Sequence, residues 1–318
     1  MDGVRTMNGS SQRGVALITA LLIVSLATIT MVAMATQQRI QARYTAILMD
    51  RDQSWQLILG GEAWARAILR RSSSGENWVS LDQQWAAKMP PMEVEGATVS
   101  GWNEDMQARF NLNNLIVGGK QDSVSMAMFE RLLDRLDLDP LLATAVADWI
   151  DADDEPGGAM GGESDVYSRL KFPYRAANQP MLSASELMLV QGFDAKAWEK
   201  IKPYVVALPG RTAINVNTAP ALVLSILANT IAVGDADEVV RTRFMEPFRN
   251  RAAFYDHPNL VQAKAELQGL AEGYADITSV FFQVHAQAQV GRGKMVTHSL
   301  MQRTPTSVIV LRRTMGKP

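Results

Sequence analysis

The sequence predicts an α+β protein in which a long N-terminal helix packs on an antiparallel sheet, with a large all-α insertion in one connection of that sheet. Three observations carry this reading. An unbroken apolar run from Val15 to Ala35 continues, with apolar residues every third or fourth position, to about Arg71. Alternation with a period of two occurs in only two places, over 92–112 and 279–312. Between them, from about Asn114 to Thr278, the period is helical.

The apolar run comes first. No charged residue lies between Arg13 and Arg39, and about 20 apolar residues cross the ~30 Å hydrocarbon core of a bilayer. The run exceeds the roughly 7–15 residues of a secretory h-region, and no Ala-x-Ala site follows it. A short polar leader, Met1 to Gly14, precedes it. Arg5 and Arg13 make that leader basic and keep the N-terminus cytoplasmic, so everything after about Arg39 lies on the outer side of an inner membrane. At 318 residues the chain is long enough for two domains, and its net charge of -2 offers no global basic field for nucleic acid. With no Cys and three His, a disulfide framework is excluded and a metal site must use oxygen or imidazole ligands.

After the span, Ile40, Tyr44, Ile47/Leu48, Trp55, Ile58/Leu59, Ala63 and Ala67 mark an apolar face opposite Arg39, Arg43, Asp50, Arg51 and Arg66. Gly60-Gly61 is the expected weak point of this helix and Ser72-Ser-Ser-Gly75 its stop. Val94, Ala97 and Val99, with Gly96 and Gly101 as turn points, then predict a hairpin, with strand character as far as Leu112. In the helical region Val124–Leu136 and Leu141–Ile150 read as helices separated by Asp139-Pro140. Ser183-x-x-Glu186 reads as a capping box. Thr218-Ala-Pro220 reads as the capped start of a helix through Leu227. At the C-terminus, Ser279–Val290, Met295–Arg303 and Ser307–Arg312 form an antiparallel meander turning at Gly291-Arg-Gly293.

One stretch has the composition of a cation site. Asp151, Asp153, Asp154, Glu155, Glu163 and Asp165 share a Gly-rich loop directly after a helix, and alternating carboxylates can converge on one hard cation. It is not an EF-hand, because Pro156 stands where that loop requires Gly. Asn215-Val-Asn-Thr-Ala-Pro resembles the start of a helix-hairpin-helix module, a DNA-backbone binder elsewhere. Its expected turn, Thr230 to Glu238, is acidic, so the unit reads as packing, with Arg241, Arg243, Arg249 and Arg251 as the only basic patch to weigh. No catalytic motif is present: His257, His285 and His298 are isolated in sequence, and Gly118-Gly-Lys120 is not a P-loop.

Gln12-Arg13-Gly14 followed by Val15-Ala-Leu-Ile-Thr19 resembles the class III signal of type IV pilins and pseudopilins. The resemblance implies cleavage between Gly14 and Val15 by a prepilin peptidase and N-methylation of Val15. It departs at Thr19, the fifth mature position, where that class usually carries Glu. Asp148-Trp-Ile-Asp-Ala-Asp153 and Ile214-Asn-Val-Asn-Thr-Ala-Pro220 resemble the minor pseudopilin K family of type II secretion.

That resemblance implies a pilin-like fold divided into a leader (1–14), a transmembrane helix (15–36), a pilin-like helix with the first strands (37–112), an insertion (113–278) and C-terminal strands (279–318). The insertion is expected to be SAM- or helix-hairpin-helix-like, in two lobes at about 113–212 and 213–278. The resemblance further implies calcium in the acidic loop, for which the candidate ligands are Asp151, Asp153, Glu155, Glu163 and Asp165, with Asp148 in reserve.

The expected partners are the I-, J- and H-type minor pseudopilins, the major pseudopilin, the prepilin peptidase and the inner membrane, with no nucleic acid. In the class, the fifth-position Glu pairs with a neighbour's N-terminal ammonium inside the bilayer, where an unpaired charge is costly. Thr19 offers no such carboxylate, and a bulky insertion clashes in a stack of small heads. Both imply a non-enzymatic subunit at the tip of a pseudopilus, nucleating it for export of folded proteins. The alternative is an inner-membrane-anchored periplasmic calcium- or DNA-binding protein.

Overall fold

The computed structural model describes residues 10–72, 77–158, 161–270 and 273–316. Most of the expected leader lies outside the described residues. Helix α1 spans Ser10–Arg71, 62 residues, about 93 Å at 1.5 Å per residue. It starts inside the expected leader, because nothing in Ser10–Arg13 breaks a helix. It also runs through Gly60-Gly61 without a break, correcting the expected weak point. Only its C-terminal third is covered. Ser54, Ile58, Glu62, Ala65, Ile68 and Leu69 are buried, whereas Ile40, Tyr44, Ile47, Leu48, Ala63 and Ala67 are exposed. The expected apolar face is therefore out of phase beyond Ile58. A buried acid, Glu62, occupies the true face.

The sheet has five antiparallel strands in the spatial order β1-β2-β3-β4-β5: β1 (Met89–Val94), β2 (Ala97–Asp105), β3 (Phe281–Val290), β4 (Gly293–Arg303) and β5 (Val308–Met315). The β1-β2 turn places Glu95 and Gly96 at φ 52° and 80°, the left-handed pair that a tight hairpin requires. Gly101, expected at a turn, lies inside β2 instead. A Cβ there would come 2.6 Å from the carbonyl oxygen of His285, so only Gly lets the two strands meet. The strand expected to continue to Leu112 stops at Asp105. Pro90 and Pro91 deny ladder donors to the edge strand β1.

On the helix-facing side, Ile58 packs on Val99, Ala286 and Ala288. Ala65, Ile68 and Leu69 pack with Trp85, Phe282, Val284 and Met301. Glu62 is held between them: Arg313 donates to both of its oxygens at 2.8 and 2.9 Å, and the Ser299 hydroxyl donates as well. A buried carboxylate is tolerated when every lone pair is so engaged.

This packing also orients the chain. Asp50 lies against Gly291 at one end of the sheet. The insertion leaves at Asp105 and returns at Phe281, at the end where Ile68 and Leu69 pack. It therefore caps the end of α1 remote from the apolar span.

The insertion is mostly helical: α2 (Ser123–Arg135), α3 (Leu142–Ile150), α4 (Ser164–Tyr167), α5 (Ala195–Ile201), α6 (Ala221–Ser225), α7 (Val233–Met245), α8 (Arg251–Tyr255) and α9 (Lys264–Gly269). One continuous apolar core runs through it, from Phe110 to Ile277. The Ser183/Glu186 capping box forms, with Ser183 N–H donating to Glu186 at 3.0 Å, but it starts a 3₁₀ segment, Ala184–Leu189. Thr230–Glu238, expected as a turn, contains the first half of α7.

The all-α expectation also needs correction. Phe110-Asn111 pairs in parallel with Val205-Val206, and Ile214-Asn215 with Ala275-Asp276. Buried asparagines extend these short ladders by imitating backbone amides. Asn113 exchanges bonds with Met181 N and O at 2.8 and 3.0 Å, Asn114 with Thr212 N and O at 3.0 and 2.7 Å, and Asn217 with Phe248 N and O at 2.9 and 2.8 Å.

Where insertion and sheet meet, the fully buried Asp105 carboxylate accepts from Ser279 Oγ (2.6 Å), Thr218 Oγ1 (2.6 Å), Asn215 Nδ2 (2.9 Å) and Gln107 N (2.9 Å). Thr218 is thus not the helix cap that the sequence suggested; α6 begins at Ala221, after Pro220. Burial pushes the Asp105 carboxyl above its ordinary value, while these four donors pull it back. Replacing Asp105 by Ala orphans three buried side-chain donors and should cost about 3 kcal/mol or more in denaturant unfolding, while Asp105→Asn, which keeps acceptor and shape, should cost clearly less.

Candidate metal centre

Helix α3 ends at Ile150, and α4 starts at Ser164. An aromatic stack fixes both helix ends. Trp149 meets Tyr167 edge-on at 5.2 Å, and Tyr167 stacks on Tyr174 at 5.3 Å. The fold thereby brings Asp151, Asp153 and Glu163 together, each offering an oxygen within 4.8 Å of the others.

Glu163 is 1% exposed and Asp148 fully buried. Both Glu163 oxygens, Asp148 Oδ1 and Asp151 Oδ1 are buried without a hydrogen-bond partner among the described residues. Buried polar atoms are almost always satisfied, and the unpartnered oxygens of Asp151 and Glu163, converging with the exposed Asp153, fit a hard divalent cation taking oxygen ligands. The glycines serve this geometry. Gly157 N donates to Asp148 Oδ2 at 3.0 Å, and a Cβ on Gly157 would lie 2.7 Å from Asp148 Oδ1.

The electrostatics agree with this fit. Burial, with Asp148, Asp151, Asp154 and Asp153 nearby, pushes the Glu163 carboxyl up to about 8. Burial, with Asp153 and Asp148, pushes Asp151 up to about 6. Burial raises Asp148 too, against the pull of the Gly157 and Gly162 amides. A cation would supply the charge that these groups lack.

Two expected ligands stand apart from this group. Glu155 is exposed, its N–H donating to Asp153 Oδ1 at 3.0 Å, and Asp165 is exposed and paired with Arg169 at 3.0 Å. Sequence reasoning missed Asn178. Its Nδ2 donates to the Asp153 carbonyl at 2.7 Å while its Oδ1 is buried without a partner. It lies too far along the chain for loop spacing to reveal it.

Gly14 and Val15 are consecutive residues of the continuous α1 helix, both exposed. Thr19 directs its hydroxyl to its own helix, donating to Val15 O and Ala16 O at 3.1 and 3.0 Å. The basic patch weighed for DNA does not assemble. Arg243 is buried and donates to the Val216 and Ala219 carbonyls, Arg241 pairs with Glu238 at 2.6 Å, and Arg249 lies over Trp78 at 5.2 Å. Two histidines isolated in sequence are neighbours in space: His285 and His298 face each other across β3 and β4.

Comparison with known proteins is specific. The family models described as "Type II secretion system (T2SS), protein K" match residues 108–210 and 214–275. The chain is similar to type II secretion system protein K of Pseudomonas aeruginosa, with 34% identity over 96% of this chain and 93% of that one. It is also similar to the Klebsiella pneumoniae protein of the same name, with 30% identity over 96% and 97%. Among solved structures, a chain of the GspK-GspI-GspJ complex from the enterotoxigenic Escherichia coli type 2 secretion system superposes with a TM-score of 0.78 at 26% identity, covering 86% of this chain and 100% of that one.

The raised carboxyls give a pH dependence of defined sign. A group whose folded value lies above its unfolded value stabilises at low pH, and that contribution is lost as pH rises through the folded value. In chelator, the thermal midpoint should fall by a few degrees between about pH 5 and about pH 8. Glu163→Gln should flatten this slope, as differential scanning calorimetry can read.

Proposed function

Because the chain belongs to the type II secretion system protein K family, we propose that it is the minor pseudopilin at the tip of a periplasmic pseudopilus, where it nucleates assembly for export of folded proteins. The observation that carries this reading is the placement of the insertion over the end of α1 remote from the apolar span. A subunit stacked above would have to occupy the same space. Thr19 supports the same reading from the other end. Its hydroxyl is spent on its own helix and offers no carboxylate to a neighbour's ammonium. The role is structural rather than enzymatic.

The apolar span serves as a single-pass anchor in the inner membrane, with the rest of the chain in the periplasm. A prepilin peptidase releases the leader between Gly14 and Val15, and Val15 is then N-methylated. The exposed apolar residues Ile40, Tyr44, Ile47 and Leu48 lie on a stretch of α1 that this chain leaves uncovered. Helices of the other minor pseudopilins, the I and J types seen in the similar complex and the H type, suit that stretch, with the major pseudopilin below. Calcium suits the acidic site, held by Asp151, Asp153 and Glu163, while Glu155 and Asp165, which stand apart from that group, are not needed as donors. Bound there, it would neutralise the loop and pin the end of α3 to the start of α4. Nucleic-acid binding draws no support from the arginines described above.

Four outcomes test this reading. Gold label on an insertion tag should mark one end of each reconstituted filament, and label along the shaft would overturn it. N-terminal sequencing of the mature chain should begin at methylated Val15, and Thr19→Glu should still insert into membranes. Calorimetric titration of the full chain in detergent should show calcium binding that weakens at least tenfold in Asp151→Asn or Glu163→Gln.

A further inference from the structure

Outside the acidic loop, an unusual polar constellation lies on the sheet face opposite α1. His285 Nδ1 and His298 Nδ1 are 2.7 Å apart, with both rings nearly buried. The outer nitrogens are also engaged. His285 Nε2 meets Glu104 Oε2 at 3.1 Å, and His298 Nε2 meets the Gly316 carbonyl at 2.9 Å. Trp102 covers the pair, stacked on His285 at 4.6 Å.

Proton counting decides the state of the pair. A carbonyl and a carboxylate only accept, so each Nε2 must carry hydrogen. The central contact needs one more, on one Nδ1 and not on both. Three hydrogen bonds thus need three N–H groups, which is one imidazolium and one neutral ring. Two neutral rings leave one contact as facing lone pairs. Two imidazoliums set N–H against N–H at 2.7 Å.

We infer that His285 and His298 share a single proton and form a pH-tuned clasp that fastens β2, β4 and the C-terminal turn at Gly316 to β3. Gly316 adopts φ 98°, curling the end of β5 so that its carbonyl faces His298 and its N–H reaches Val296 O at 3.0 Å.

The surrounding charges fit one positive charge on the pair. From β2 comes Glu104, whose other oxygen takes the Arg109 guanidinium, and Lys88 lines the same cleft. From β5, Arg312 donates to the Leu182 carbonyl and Arg313 reaches Glu62 on the opposite face. Asp105, next to Glu104, is spent on its own donors. Lys317 lies outside the described residues. Burial and the His285 charge hold His298 below its ordinary value, which opposes a second proton.

The sign follows from linkage. At high pH the folded pair keeps a proton that the unfolded chain releases. At low pH it refuses a proton that the unfolded chain takes up. Stability should therefore peak near the ordinary imidazole value, about 6.5, and fall on both sides.

The test uses the full chain in detergent, saturated with calcium to silence the acidic loop, and labelled with 15N histidine. The chain has only three histidines. Through-bond coupling between the two Nδ1 nuclei around pH 6.5, with one proton gained by the pair and His257 titrating apart, is the expected result. The thermal midpoint should trace a bell that loses its acid side in His298→Asn, whose amide oxygen accepts from His285 and leaves no second ring to refuse a proton. Two rings titrating independently, or the same bell in His298→Asn, would overturn the proposal. If that variant does not fold, the spectra of the native chain decide alone.

Discussion

The architecture depends on how one buried carboxylate joins two parts of the chain. Residues 106–280 intervene between strands that lie side by side, β2 and β3. The entropic cost of closing so long a loop grows only slowly with its length, but its two ends must still be held in register. Asp105 does this by gathering donors from the exit (Gln107), the middle (Asn215, Thr218) and the return (Ser279) of the insertion. The insertion is therefore tied to the sheet by side-chain hydrogen bonds as well as by its two covalent ends.

The same device recurs inside the insertion. Phe110-Asn-Leu-Asn-Asn114 and Ile214-Asn-Val-Asn-Thr218 each begin with a two-residue parallel pairing, and each then uses asparagine amides as surrogate backbone. The first segment is closed by Val205-Val206 and the second by Ala275-Asp276, so two consecutive units are built alike over one apolar core. The family matches divide between residues 210 and 214, at the junction of these units.

Much of this was legible in the sequence, because hydrophobic period and turn chemistry report local structure directly. The end of the long helix at Arg71, the hairpin turning at Gly96, the C-terminal meander and the helix Ser123–Arg135 all follow from period and punctuation. What stayed hidden depended on partners distant in sequence. Nothing in the sequence marks Glu62 as buried until Arg313 lies opposite it, and Gly101 reads as a turn until the His285 carbonyl lies against it. Thr218 reads as a cap until Asp105 claims its hydroxyl. In the acidic loop, composition pointed to a carboxylate cluster, but only the fold separates the converging Asp151, Asp153 and Glu163 from the outward Asp165, and only the fold brings Asn178 alongside.

The uninterrupted course of α1 through Gly60-Gly61 has a mechanical consequence. A rod without a joint cannot absorb rotation along its length. A tilt of about 5° at its base therefore carries its far end sideways by about 8 Å, from about 1.5 Å of rise per residue over the whole helix. Small reorientations at the base of the rod thus become large lateral displacements of its far end.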